Sequence, residues 1–166
     1  MPKFKKRILW LTGIVIPQAS ELINGPKVPF GGWVSQMIYK LSRIEEFTIG
    51  VAMKSPTDEL LIKEKDGVTY YYVPQNKKNR FDVNEEDCLK VFNHFKPDLV
   101  HAEGSELKYT NTFLSFINSK MIIILFITIG YLVLLFITPK GTVIHEMSYI
   151  PIFWIKNISV PKKNLV

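Results

Sequence analysis

Short apolar segments alternate with segments of helical periodicity along the first 118 residues, and this alternation constrains the fold more than any other feature. The apolar segments are rich in β-branched and aromatic residues, as strands are, and occupy residues 8–16, 47–53, 68–74 and 98–104. The helical segments occupy residues 33–44, 84–94 and 109–117. Alternation of this kind predicts an α/β fold with a parallel sheet flanked by helices.

The first apolar segment, ILWLTGIVI at residues 8–16, lies between a charged start and Pro17. A continuous apolar run with these bounds is typical of a buried parallel strand. A secretory signal peptide also has a basic start and an apolar middle, but no clean small-residue cleavage site follows this short, β-branched run. We therefore expect a strand, followed by a loop over residues 17–30 that is long enough to be functional.

Two adjacent glycines, Gly31 and Gly32, stand between this loop and the first helical segment. In a parallel sheet with right-handed crossovers, the strand-to-helix loops share one edge, and ligands bind there. Glycine lets the backbone approach a ligand closely or turn with positive φ, and a helix start offers free N–H groups. The pair is therefore predicted to shape a binding edge, with a plain tight turn as the alternative. The chain has neither a G-x-G-x-x-G fingerprint nor a P-loop.

His101, Glu103 and Gly104 lie at the end of the last of these four apolar segments, on the same predicted edge. A histidine in this place could hydrogen-bond a hydroxyl group or act as an acid or base. The alternative is a purely structural histidine, and the order of inward and outward side chains along this strand stays open.

Charge and cysteine content limit the partners and the chemistry. The net charge is +6, and a basic cluster at Lys3, Lys5, Lys6 and Arg7 stands beside the first apolar run. Such a cluster suits an anionic membrane surface or a polyanion, or it serves only as a solubilising terminus. The single cysteine, Cys88, excludes an internal disulfide and is expected to be a buried structural residue.

The segments RILWLTGIVIP, FGGWVSQMIYKLSR and FKPDLVHAEGSELKYT, in this order and spacing, resemble the N-terminal domain of a GT-B glycosyltransferase of the family 4 type. The resemblance covers roughly residues 5–118. It implies a Rossmann-like sheet that is one half of a GT-B fold, with the acceptor held mostly by this half. It also implies sugar transfer with retention from a nucleotide-sugar donor to a glycan or lipid-linked acceptor, usually without a metal and with no cofactor.

By motif match, Gly31 and Gly32 would line the cleft near the donor phosphates or the acceptor, and His101, Glu103 and Gly104 would lie on the acceptor side. The chain departs from the family pattern after this point. The paired glutamates and basic residues that hold the donor belong to a second domain, for which 166 residues leave no room. We therefore expect an incomplete enzyme without transfer activity of its own.

Residues 119–166 form a divergent apolar tail with three interpretations. Residues 121–138 carry no charge, and a helix of that length at about 1.5 Å per residue comes near the lower limit for crossing a bilayer. Residues 121–128 could instead be a fifth buried strand. The third interpretation is a frameshift or early stop in a longer transferase gene.

The sequence thus predicts two parts, a Rossmann-like acceptor-side domain at residues 1–118 and the tail at 119–166. The alternative function is a small single-span membrane protein with a cytosolic α/β binding module. A further alternative is a soluble enzyme that uses His101 as an acid or base. Under the first hypothesis we expect a cytoplasmic protein, peripheral to the inner membrane or anchored in it by one span, with no nucleic-acid partner and no metal.

Overall fold

The computed structural model describes residues 5–29, 31–104 and 107–116 in full, and residues 122–126, 134–138 and 141–145 by their backbone. The elements described in full are, in chain order, β1 (Lys6–Thr12), α1 (Pro17–Leu22), α2 (Gly32–Ser42), β2 (Phe47–Ser55), β3 (Leu61–Lys65), β4 (Val68–Pro74), α3 (Glu85–Phe95), β5 (Leu99–Glu103) and α4 (Lys108–Leu114). The strands described by their backbone are β6 (Ile122–Phe126), β7 (Leu134–Thr138) and β8 (Gly141–His145).

The described strands form one mixed sheet in the order β3-β4-β2-β1-β5, with β6, β7 and β8 continuing beyond β5. Three of these pairs are parallel, namely β4 with β2, β2 with β1, and β1 with β5. β3 is antiparallel to β4, because the two strands are joined by a tight hairpin. Asp66 and Gly67 in that hairpin have φ angles of 52° and 76°, as a two-residue turn of this kind requires. The predicted α/β class is confirmed, and the sheet is mixed instead of parallel throughout.

Helices cover both faces of this sheet, which explains why its central strands are apolar at every position. α1 and α2 cover one face, where they contact Trp10, Val51 and Met53. α3 and α4 cover the other face, where they contact Leu9 and Leu11. Successive residues of β1 therefore alternate between two cores, as the pleat of a strand requires.

The helices α2 and α3 form in the segments where the helical periodicity predicts them. α3 has Asn84 in its N-cap position and acidic residues throughout its first turn, where the helix dipole favours negative charge. The side chain of Asn84 makes no capping bond; it accepts a hydrogen bond from Asn76 Nδ2 at 3.0 Å instead. The helix ends at Phe95, and the next residue, Lys96, has a left-handed φ of 51° and is followed by Pro97.

The prediction of a loop over residues 17–30 is wrong for its first part, because Pro17–Leu22 forms the short helix α1. Pro17 lies in the first turn of this helix, where its missing N–H loses no hydrogen bond. Ser20 is buried and its hydroxyl donates to the Pro26 carbonyl at 2.7 Å, which folds the following loop back against the helix. The connection thus consists of a short helix and a loop that is hydrogen-bonded to it.

Cys88 and Arg7 both have structural roles. Cys88 is fully buried, as predicted, and burial raises the pKa of its thiol well above the usual range. Arg7 belongs to the basic start, but its Nε donates to the Phe95 carbonyl at 2.5 Å and its guanidinium lies 4.9 Å from the Phe95 ring centroid. Arg7 therefore fastens β1 to α3, which leaves Lys5 and Lys6 as the exposed cations of this cluster among the described residues.

In the tail, the backbone of β6 pairs in parallel with β5, while β7 and β8 are antiparallel to their neighbours. The remaining residues of the tail lie outside the described residues, as do residues 117 and 118. Within the part of the chain that the structure describes, no helix combines the length and the apolar character needed to cross a bilayer. The membrane span and the gene-level interpretation of the tail stay predictions.

Candidate functional site

The direction of the chain connections reverses between β1 and β5. From β1 the chain passes through α1 and α2 over one face to β2, whereas from β4 it returns through α3 on the other face to β5, which lies on the far side of β1. The loops that follow β1 and β5 therefore leave the sheet toward opposite faces. Open α/β sheets bind ligands in the crevice outside the carboxyl ends of the strands at such a reversal, so we locate the candidate site there.

The twin glycines lie at this edge and have different roles. Gly31 is in the N-cap position of α2 with a left-handed φ of 79°, and its carbonyl accepts the first helical hydrogen bond from Ser35 at 3.0 Å. A Cβ on Gly31 would meet Ile14 at 3.4 Å, which places Gly31 beside the loop that follows β1. Gly32 has no neighbouring atom within 4 Å of a Cβ position. Only Gly31 is required by the turn itself, and Gly32 leaves open space.

This difference gives a test of the twin glycines. We expect Gly31→Ala to lower the free energy of unfolding by about 1–2 kcal/mol, because alanine is strained at positive φ. Gly32→Ala, the matched control, is expected to be neutral or to stabilise by up to about 1 kcal/mol, since alanine suits a helix better than glycine. Urea denaturation of both variants measures the two values. Equal effects at the two positions would contradict the described start of α2.

Glu103 and Gly104 lie where the sequence predicts them, at the tip of β5. Glu103 is the last residue of the strand, and Gly104 follows with a φ of 68°. The Gly104 carbonyl accepts hydrogen bonds from the Leu107 N–H at 2.9 Å and from the Thr110 hydroxyl at 2.9 Å. The chain thus turns from β5 toward α4 at a residue with positive φ, and glycine is the residue type that adopts such a φ most readily.

His101 lies in the middle of β5, two positions before the strand end, and its side chain faces the α1–α2 layer. Its Nε2 is 2.8 Å from Glu103 Oε1. Its ring stacks on the Trp10 indole with a centroid separation of 3.7 Å and a tilt of 32° between the ring planes. His101 and Glu103 expose only 6% and 7% of their surface. Trp10 pairs with His101 across the β1–β5 ladder, so the register of these two strands creates the stack.

The loops after β1 and β5 touch each other at the edge. A Cβ on Gly13, which directly follows β1, would come within 2.8 Å of Leu107 Cδ1 in the connection from β5 to α4. The Gly31 turn contacts the β1 loop from the other side, through Ile14, Ile16 and Pro17. The structure therefore brings the twin glycines, Glu103 and Gly104 to one edge of the sheet, with His101 just below it.

This arrangement provides a carboxylate–imidazole pair held rigidly by a stacked indole. A carboxylate bonded to one ring nitrogen fixes the orientation of an imidazole. Such a pair can hydrogen-bond ligand hydroxyl groups or move a proton.

Two buried tyrosines are less suited to proton transfer. Burial raises the pKa of Tyr109 well above the usual range and that of Tyr72 to about 12. Their hydroxyls donate to the carbonyls of Ala52 and Ala19, respectively. Among the described residues, no group of three or more histidine, cysteine or acidic side chains could hold a metal ion.

A concave region lies farther along the same edge, in a place where the sequence predicts no site. A cavity of about 750 Å³ opens at the carboxyl ends of β2 and β4. It is lined in part by the polar stretch QNKKNR at residues 75–80. The signal for it is the same as for the glycines, since this stretch directly follows the end of β4 and so belongs to the ligand-binding edge.

Asp82 fastens this polar stretch to α4. Its carboxylate accepts hydrogen bonds from the Thr112 hydroxyl at 2.7 Å and the Val83 N–H at 2.9 Å, and it lies 3.0 Å from Lys108 Nζ. Partial burial by itself raises the pKa of Asp82, but the hydrogen bonds from Thr112, Lys108 and Val83 outweigh it and lower the pKa. The charged carboxylate is therefore favoured by folding.

We expect Asp82→Asn to lower the free energy of unfolding at pH 7 by about 1–2 kcal/mol, because two charge-assisted bonds are weakened. A lowered folded-state pKa means that the contribution is complete above the unfolded pKa of about 3.9 and is lost as the pH falls through the folded value. The difference between wild type and Asp82→Asn should therefore shrink below about pH 4. Urea denaturation at pH 7 and pH 3 measures it, and a difference independent of pH would contradict the assignment.

Comparisons of the chain with protein-family models, with curated proteins and with solved structures found no match. Its function is therefore inferred from the residues, the motif resemblance and the geometry of the edge.

Proposed function

We propose that the chain provides the acceptor-side domain of a GT-B glycosyltransferase of the family 4 type. The order and spacing of its motifs support this, as does an α/β sheet whose connections reverse direction between β1 and β5. Under this proposal a glycan or lipid-linked acceptor binds at the edge formed by the loops that follow these two strands. Transfer needs a second, donor-binding domain, so the chain alone is expected to bind an acceptor without transferring sugar.

The observation that carries the proposal is the His101–Glu103 pair stacked on Trp10 beneath the point of reversal. Sugar hydroxyls are recognised by hydrogen bonds from polar groups that are already held in place, because little conformational entropy is then lost on binding. The 2.8 Å bond and the stack hold the imidazole and the carboxylate in this way. Gly32 adds open backbone at the same edge, since no atom lies within 4 Å of a Cβ position there.

Exposed apolar side chains near the crevice agree with a surface that a second domain or ligand covers. Ile14 and Trp33 are 45% and 51% exposed. Ile14 lies against Gly31, and Trp33 directly follows Gly32 in the chain. Large apolar side chains that stay exposed around a cleft are typical of binding surfaces. In a GT-B enzyme this edge faces the donor domain.

The proposal is tested by saturation-transfer NMR of the full chain with a panel of oligosaccharides and, separately, of nucleotide-sugars. We expect an oligosaccharide to bind and the nucleotide-sugars to bind more weakly or not at all. Glu103→Gln should weaken oligosaccharide binding about tenfold, because the charged carboxylate that accepts hydrogen bonds is replaced by a neutral amide.

A matched control uses the other hydrogen-bonded histidine of the described residues. His94 Nδ1 lies 2.8 Å from the Tyr71 hydroxyl on the α3 side of the sheet, away from the crevice. His94→Gln should leave oligosaccharide binding unchanged. Oligosaccharide binding that is insensitive to Glu103→Gln, or the absence of any carbohydrate binding, would contradict the proposal.

A further inference from the structure

We propose that the cavity at the carboxyl ends of β2 and β4 is a separate binding site for a phosphate-bearing small molecule. Its volume is about 750 Å³, and its lining includes Thr57, Gln75, Lys77, Lys78 and Arg80. The site is distinct from the β1–β5 crevice and does not depend on the proposed glycosyl transfer. Four observations support it: unneutralised charge, an ordered loop, an unpartnered hydroxyl group and the shape of the cavity.

The cations of the cavity are not neutralised by the protein. Lys77, Lys78 and Arg80 are exposed and form no ion pair in the part of the chain that the structure describes. Other lysines do find carboxylates, as Lys90 does with Glu86 at 3.0 Å. Asp58 is the one acidic residue among those lining the cavity, so the lining carries an excess of positive charge. A cleft lined by one sign of charge concentrates ligands of the opposite sign.

The loop that presents these cations is held by its own hydrogen bonds. Asn76 Oδ1 accepts from the N–H groups of Lys78 at 2.9 Å and Asn79 at 3.3 Å. The Asn76 N–H donates to the Asp82 carbonyl at 2.9 Å, and a β-bridge between Gln75 and Val83 closes the base of the loop. A loop ordered before binding loses less entropy when a ligand arrives.

A neutral donor adds to the charge. The Thr57 hydroxyl is buried without a hydrogen-bond partner among the described residues, and Thr57 lines the cavity. A buried hydroxyl without a partner is unfavourable by about 1–3 kcal/mol. The Oγ1 atom is itself buried, so a ligand oxygen would accept from this hydroxyl and remove the penalty once the Thr57 side chain turns toward the cavity. Phosphate oxygens accept hydrogen bonds from both hydroxyl groups and lysine or arginine side chains.

The shape of the cavity favours a small molecule over nucleic acid. Its volume falls in the range of small-ligand pockets, which is roughly 300–1,000 Å³. A nucleic-acid surface typically extends a basic stripe along many phosphates. Here the three cations are confined to the single loop 75–80 at the end of one strand.

Isothermal titration calorimetry of the full chain with inorganic pyrophosphate tests the site. We expect saturable binding of one pyrophosphate per chain, and we expect Lys77→Gln combined with Lys78→Gln to weaken it at least about tenfold. The matched control is Lys63→Gln combined with Lys65→Gln, which removes the same charge from the exposed strand β3. This control should bind within about twofold of wild type. Circular dichroism melting confirms that both variants stay folded.

Weakening by the β3 control to the same extent, or binding without saturation, would overturn the proposal in favour of diffuse charge attraction. A single-stranded oligonucleotide that displaces pyrophosphate and binds more tightly would also overturn it. Vesicles containing phosphatidic acid distinguish the source of the phosphate. Their competition with pyrophosphate supports a phosphate site that takes a lipid headgroup, and lack of competition supports one that takes a soluble molecule.

Discussion

Trp10→Ala is expected to lower the free energy of unfolding by about 3–5 kcal/mol, among the largest effects of any single change in this chain. Trp10 is 1% exposed and belongs to the core that α1 and α2 cover. Removing its indole leaves a large cavity and also removes the ring on which His101 stacks at 3.7 Å. Urea denaturation followed by far-ultraviolet circular dichroism measures the loss.

Trp10→Phe is the control for this prediction. The Trp10 Nε1 has no hydrogen-bond partner among the described residues, so phenylalanine loses no bond and keeps an aromatic ring against His101. We expect this variant to lose only about 1–2 kcal/mol. It should retain the oligosaccharide binding of wild type to a greater extent than Trp10→Ala does. A loss below about 1 kcal/mol for Trp10→Ala would contradict the described burial of this residue.

Gly50→Val is the second change for which we expect a large effect, a loss of about 3 kcal/mol. Gly50 lies in the middle of β2, paired with Leu9 and Thr69. A Cβ at this position would come within 2.7–2.9 Å of three atoms of the Phe95 ring. Phe95 cannot move away easily, because it is 2% exposed and held between Tyr71 and Arg7.

The double variant Gly50→Val with Phe95→Leu separates this clash from other effects. The smaller leucine leaves room for the new side chain, so the double variant should be more stable than the sum of the single changes predicts, by at least about 1 kcal/mol. Additive losses would mean that α3 does not pack on β2 as described. Denaturation of the four proteins of this cycle gives the coupling energy.

The central strands and the longer helices can be predicted because local pattern and tertiary burial agree there. The segment 68–74 is a strand with the predicted bounds, because β-branched and aromatic residues fill it and Asp66-Gly67 and Pro74 bound it. Its neighbour β3 escapes prediction, since LIKEK carries exposed charge and little apolar pattern. The Asp66-Gly67 pair is also a hairpin signal. If the segments on both sides of it are taken as strands, the pair predicts β3 as an antiparallel edge strand.

The short helix α1 escapes prediction for a related reason. Pro17 indicates the end of a strand and the start of a loop, although proline is also favoured in the first turn of a helix. A helix of six residues offers too few positions for a periodic pattern. Its order comes from tertiary contacts, among them the hydrogen bond from the Tyr72 hydroxyl to the Ala19 carbonyl at 2.5 Å.

The candidate site can be predicted in position but not in detail. Strand direction alone places Gly31, Glu103 and Gly104 at one edge, because parallel strands share their carboxyl ends. The stack of Trp10 on His101 depends on the register between strands that are about ninety residues apart in the chain, and no local pattern encodes such a register. The predictions for the tail after residue 118 mostly concern residues outside those that the structure describes.

The most direct test of the fold and its candidate site is an NMR measurement of contacts from the His101 ring in the full chain. The site requires β1 and β5 to be adjacent and parallel, with Trp10 and His101 facing the α1–α2 layer. We expect strong nuclear Overhauser effects between the Trp10 and His101 ring protons, because the ring centroids lie 3.7 Å apart. Overhauser effects from His101 to Val91 or Cys88 of α3, which belong to the opposite core, would show that β5 presents its other face and would contradict the proposed site.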